Sequence, residues 1–117
     1  VDAEGKGVYQ GKIYVKDIAQ KTNAYQLSKA LLLSENSEFN SKPELEIYAD
    51  DVKCSHGSTS GSVDENSIHY LMTRGLSKKQ AVQLLVNGFL NEIIGDIKSN
   101  SVRKFIENKI EVQIHGY

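Results

Sequence analysis

From Gly7 to Gly61 the chain is a series of short β-type segments separated by turn formers. The segments are residues 12–15, 25–33, 45–49 and 52–55, of which the first three are rich in Tyr, Ile, Val and Leu, side chains that suit a pleated surface. Gly11, Thr22-Asn23, Glu35-Asn36-Ser37 and Asn40-Ser41 punctuate them. The segments lie too close together for crossover helices, which argues against an α/β sheet and for hairpins or solenoid coils. No strict repeat decides between those two.

After Gly61 the pattern becomes helical. Ser62-Val63-Asp64-Glu65 reads as a capping box, with Ser62 accepting from a free backbone N–H and Glu65 reaching back, and it predicts a short helix to about Thr73. Gly75 suits the left-handed position that ends such a helix. Ser77-Lys78-Lys79-Gln80 repeats the start signal, with Leu76 and Ala81 placed as a hydrophobic staple. In the longer helix that follows, Val82, Leu85, Val86, Phe89, Leu90, Ile93, Ile94 and Ile97 cover more than one ordinary stripe, so two faces call for cover. Ser99-Asn100-Ser101 opens a third element with Val102, Phe105, Ile106 and Ile110 at helical spacing. Its end reads equally as a strand, from the alternation of Ile110, Val112 and Ile114, or as a continuing helix.

Length and charge narrow the class. A chain of 117 residues can bury a core without a disulfide or a structural metal. A formal net charge of -1 gives no broad basic field for phosphate backbones or anionic lipid, so nucleic acid and membrane are not expected partners. The longest apolar runs, such as Ala30-Leu31-Leu32-Leu33, fall far short of the roughly 20 residues of a spanning helix. One cysteine cannot form an internal disulfide, which fits a reducing cytoplasm. A start at Val1 followed by Asp2-Ala3-Glu4-Gly5-Lys6-Gly7 reads as a fragment of a longer protein.

The candidate chemistry sits in Lys53-Cys54-Ser55-His56-Gly57. On a strand, residues i and i+2 share a side, so Cys54 and His56 offer a soft sulfur and a borderline nitrogen to one small volume. Two ligands are half of a stable iron–sulfur site, which usually takes four. On spacing alone the favoured reading is structural, a buried thiol beside a hydrogen-bonded imidazole. A Cys/His hydrolase or metal enzyme using Cys54 and His56 is the enzymatic alternative, although nucleophile and base normally come from separate elements. Asp50-Asp51 reads as a solvated corner rather than a hard-cation site. His69 and His115 lack a second ligand at metal spacing, and Lys78-Lys79 reads as a solvated pair. Gly57-Ser58-Thr59-Ser60-Gly61 lacks the Gly-Lys-Ser/Thr ending of a phosphate loop, so any nucleotide belongs to a partner.

The segment from Pro43 to Gly61, with Cys54-Ser55-His56-Gly57 at its heart, resembles the signature of the SufB/SufD family of iron–sulfur cluster assembly scaffolds, and its form is similar to the SufD branch. Ile68-His69-Tyr70-Leu71-Met72-Thr73-Arg74-Gly75-Leu76-Ser77 resembles the family's Phe-Tyr-Leu-x-Ser-Arg-Gly-Ile/Leu segment, and residues 81–90 resemble the helix that follows it. The resemblance is strong over 42–97 and weaker over 11–33. It departs at Ser58, where Ala is common, and in the absence of the acidic residues of the SufB form.

That resemblance implies the terminal coils of a right-handed parallel β-helix over 1–61 and a C-terminal helical domain over 62–117. It implies a cytoplasmic, non-enzymatic scaffold component that pairs with a SufB-type scaffold through its strands. Its helices would dock a SufC-type ATPase, with Val82, Leu85, Val86, Phe89, Leu90 and Ile93 as the docking positions. His56, and with less support Cys54, would face a transient iron–sulfur cluster at the partner interface, with none held stably by the fragment alone. Its open strand edge also leads us to expect homodimerisation of the fragment.

Overall fold

A computed structural model of the chain describes residues 1–114 and divides it into two compact units, Val1–Ser62 and a second that begins at Val63. The first unit is all strand: β1 (Lys6–Val15), β2 (Asn23–Leu32), β3 (Glu38–Ile47) and β4 (Lys53–Ser62). The second is all helix: α1 (Glu65–Thr73), α2 (Lys78–Ile94) and α3 (Asn100–Ile114). The β-then-α class expected from the sequence is therefore observed.

No hairpin joins the four strands. β1 pairs with β3 and β2 with β4, both parallel and in unbroken register, so the chain visits two two-stranded sheets alternately. The period-2 pattern then separates two sides of each sheet. In the first sheet Gly7, Tyr9, Gly11, Ile13 and Val15 stack on Phe39, Ser41, Pro43, Leu45 and Ile47. The opposite side is a charged ladder, with Lys6 at 3.1 Å from Glu38 and Lys12 donating to Glu46 at 2.5 Å and lying 3.8 Å from Glu44. The hydrogen bond that Lys12 donates to the Glu46 carboxylate raises the ammonium above its ordinary value. These exposed pairs add little stability, but a slip of one residue would exchange the two sides, so the ladder and the inner stack specify the same register.

Corner-to-corner bonds fix the ends of the strands. Lys21 N donates to Asp51 O at 2.5 Å, Lys53 N to Thr22 O at 2.9 Å, and Asp51 N to Gln20 Oε1 at 2.9 Å. Asp50-Asp51 is thus a corner stacked on the preceding corner, and among the described residues no group of three or more His, Cys, Asp or Glu could hold a metal ion.

Three strands are longer than their sequence suggests, among them β1, which starts at Lys6 and runs through Gly11. β3 starts at Glu38, so Asn40-Ser41 is ladder and not turn, and β4 runs through Gly57-Ser58-Thr59-Ser60-Gly61 to Ser62. Both stretches are poor strand formers, held because their partners across the ladder, 6–11 and 27–32, supply backbone bonds over their whole length. Pro43 fits within β3 because that strand is paired on one side only, which leaves an edge where a missing N–H costs nothing.

In the helical unit the local signals decide. Asp64, not Ser62, caps α1: Ser62 is still paired with Leu32 in the ladder, while the Asp64 carboxylate accepts from Asn66 N at 3.2 Å, Ser67 N at 3.0 Å and Ser67 Oγ at 2.6 Å. Those bonds, the Ser67 hydroxyl foremost, hold the Asp64 carboxyl below its ordinary value. Helix α1 ends as expected at Gly75, with φ 99°, where Gly75 N donates to Met72 O and Leu76 N to Leu71 O. The Ser77–Gln80 capping box starts α2, with both of its reciprocal bonds present. The third element is helix through Ile114, which resolves its ambiguous end. Arg103 on α3 donates to Gly95 O at 3.2 Å and to Ile97 O at 2.6 Å, covering free carbonyls at the end of α2. Ile68, Ala81 and Ile94 form the buried core here, and Val15 and Ala49 that of the strand unit. No helix among the described residues is long and apolar enough to cross a membrane. His115 lies outside the described residues.

Two predictions follow the caps. Ser77→Ala is expected to destabilise the helical unit by about 1 kcal/mol and Ser77→Gly by only a few tenths, read from urea midpoints by circular dichroism. The Asp64 contribution is complete above the ordinary value of 3.8 and is lost as pH falls through the lowered value of the folded state. Carbon NMR titration of Asp64 should show its midpoint rising in Ser67→Ala; an unchanged midpoint would assign the shift to another cause.

Candidate functional site

Strand β4 carries both chemistry-bearing side chains of the sequence motif. Cys54 and His56 lie two residues apart, so they project from the same side of β4, with Ser58 next in the row. The thiol is half-buried and free of any disulfide, and the imidazole is exposed. Their register neighbours on β2 are Ala24, Gln26 and Ser28. Ala24 leaves room beside the thiol, Ser28 is buried, and Gln26 lies level with His56.

Gln26 was not legible as a site residue, because nothing local in the sequence says that it lies beside His56. Its Nε2 donates to Tyr9 Oη at 3.0 Å, a bond between the inner sides of the two sheets. Gly11 makes the space for that bond: a Cβ there would collide with Gln26 Nε2 and with the Tyr9 hydroxyl. The other end of the carboxamide, Oε1, is buried with no hydrogen-bond partner, as is Ser41 Oγ. Ser41 is in turn the register neighbour of Tyr9. The inner side of the strand unit is therefore a polar row of hydroxyls and an amide at the level of His56, not a dry apolar core.

Chemically, β4 offers one half-buried thiol and one exposed imidazole in a single row. That donor set suits a soft or borderline metal such as iron, and a cluster bound there would draw its remaining ligands from elsewhere. His69 is exposed on α1 and takes no part. The backbone of Gly57–Gly61 is used in the ladder with Leu27–Leu31, so it does not form a phosphate cradle. Tyr25, whose hydroxyl would lie 2.8 Å from a Cβ at Gly57, and Leu27 are exposed on the opposite side of this sheet.

On α2, Val82, Leu85, Val86, Phe89 and Leu90 are half-buried, whereas Leu84 and Ile93 are 49% and 64% exposed. Leu85 joins Tyr70 and Leu71 in an open groove of about 380 Å³ beside the Asp64 cap. Within the expected set Ile93 is thus the most exposed position, whereas Leu84, nine residues before it and so on the opposite face of the helix, is exposed separately.

Residues 1–89 match the family model described as SUF system FeS cluster assembly, SufBD core domain. An iron–sulfur cluster assembly SufBD family protein of Synechocystis is 43% identical over 88% of this chain and 23% of its own length. The iron–sulfur cluster assembly protein SufD of Escherichia coli is 35% identical over 99% of the chain and 27% of its own length. The chloroplastic protein ABCI7 of Arabidopsis thaliana is 36% identical over 93% and 23% respectively. The chain spans about a quarter of the length of these curated relatives.

Gly11→Ala is expected to destabilise the strand unit by about 1–3 kcal/mol, because the added methyl displaces the Tyr9–Gln26 bond. At Gly61 a Cβ meets nothing within 4 Å, so Gly61→Ala should leave stability unchanged within about 0.5 kcal/mol. Thermal unfolding of the two variants checks the contrast, and equal shifts would contradict it.

Proposed function

This chain belongs to the SufBD family of SUF-system iron–sulfur cluster assembly proteins, and from that membership we propose that it is the SufD-like C-terminal part of a non-enzymatic scaffold. The observation that carries the reading is the placement of Cys54 and His56 on one face of β4, a strand paired on one side only. An incomplete ligand pair, with the imidazole exposed and the thiol half-buried, suits a surface where a second scaffold brings the remaining ligands to a nascent cluster. It does not suit an enclosed hydrolytic centre, for which base and nucleophile would converge with an orienting group in a cleft.

In this reading the strand unit is two terminal coils of a right-handed parallel β-helix. Alternate visits to two parallel sheets support it, and so does the strong preference of parallel crossovers for the right hand. Pairing with a SufB-type partner would use the strand unit and position His56, with Cys54 beside it, at the interface where the cluster is cargo. Helix α2 would dock a SufC-type ATPase through the stripe of Val82, Leu85, Val86, Phe89, Leu90 and Ile93, with Ile93 as its most accessible apolar contact. Nucleotide-driven movement in the ATPase would then reach the cluster-forming interface through the helical unit. The cytoplasm is the expected location.

Titration of purified SufC into this chain by calorimetry tests the docking surface. Saturable binding is expected, weakened at least tenfold by Ile93→Asp, a substitution at an exposed position that leaves the fold intact by circular dichroism. Full affinity in both Ile93→Asp and Leu84→Asp would remove α2 from the interface. In a reconstituted scaffold, His56→Ala should lower cluster yield more than Cys54→Ala, read from the visible absorption of the assembled cluster.

A further inference from the structure

The carboxamide of Gln26 is tethered at one end only. Tyr9 Oη accepts from Nε2 at 3.0 Å, which turns Oε1 the other way, and Oε1 is buried without a donor. A buried acceptor left unpaired costs about 1–3 kcal/mol, so such an atom calls for a donor close at hand. His56 is the register neighbour of Gln26 on β4, and in-register neighbours on adjacent parallel strands, roughly 4.8 Å apart, project to the same side. Its imidazole, exposed and not bonded to Oε1 in this structure, is the ring N–H donor in that row, between the thiol of Cys54 and the hydroxyl of Ser58.

We propose that Gln26 is the positioning residue of His56: Oε1 accepts the imidazole N–H and thereby fixes which ring nitrogen carries the proton. The opposite nitrogen is left with its lone pair directed away from Gln26, ready for a soft metal. A carbonyl oxygen that orients a ligating imidazole through its second nitrogen is a general device of metal-binding histidines. Here the carbonyl is supplied by a side chain from the neighbouring strand and is held in turn by Tyr9, with Gly11 leaving the space for the tether. The functional importance of this row rests on the scaffold reading given above; the row itself does not.

The test is nitrogen NMR of chain labelled at histidine, at a pH well above the ordinary imidazole value of about 6.5, with His56 assigned through His56→Asn. Wild type should show one pyrrole-type and one pyridine-type ring nitrogen for His56, the signature of a single tautomer. Gln26→Leu should move both signals toward the averaged positions of a free mixture. Gln26→Glu, which keeps an acceptor oxygen, should restore them, and Tyr9→Phe should shift them part of the way. Ser41→Ala should leave them in place. Identical His56 nitrogens in wild type and Gln26→Leu would overturn the proposal, as would a shift caused by Ser41→Ala alone. If Gln26→Leu does not fold, Tyr9→Phe, which removes one oxygen, decides in the same way. Because the signal is read on the isolated chain, failure here is separate from failure of His56 to matter for cluster yield.

Discussion

The backbone groups of β1 have no partner until β3 arrives, with Lys6 level with Glu38, and those of β2 have none until β4, with Asn23 level with Lys53. Local bonding does not satisfy an isolated extended segment, so each strand exists only as half of a pair formed with the strand two elements on. That constraint governs the rest of the unit. It forces the corners after β1 and β3 to stack, and it determines which residues share a side. It also lets polar and glycine-rich stretches persist as strand.

The same constraint builds the site. Period 2 along β4 aligns Cys54 with His56, and register across to β2 sets Gln26 level with His56. The second sheet enters through Tyr9, which reaches Gln26 only because position 11 has no side chain. Residues from three strands are thus brought to one level without a loop. A site built on paired strands is more rigid than one on loops, and the cost is that it is assembled only when every register is correct.

Much of the helical unit was legible because its signals are local. A Ser77 with Gln80 three residues later, or a Gly75 after an apolar run, specifies a helix boundary from a handful of neighbouring residues. The misplaced cap at Ser62 shows the limit: Ser62 and Asp64 are both good capping residues, and the choice between them was made by the ladder bond of Ser62 to β2, some thirty residues away. In the strand unit the apolar cores of β1 and β2 stood out. The polar start of β3 and the Gly/Ser end of β4 did not, because their strand character is conferred by partners and not by their own propensity. The Cys54–His56 pair was readable from its spacing alone. Gln26 and Tyr9 were not, since their place beside it depends on two registers that no local pattern encodes.

The Gly11–Pro43 level of the first sheet has a consequence for the order of events during synthesis. Glycine is the least constrained residue and proline the most, and here they face each other across a parallel ladder with no direct connection. At roughly 5–20 residues per second, a ribosome that has released Gly11 needs some seconds more before Pro43 follows. During that interval β1 waits as an extended, unpaired segment, and closure of the long loop precedes any reward from the ladder. The helices, whose bonds close within four residues, can form as soon as they emerge. The two halves of this short chain therefore mature on different clocks, and the strands are the half exposed to rival partners while they wait.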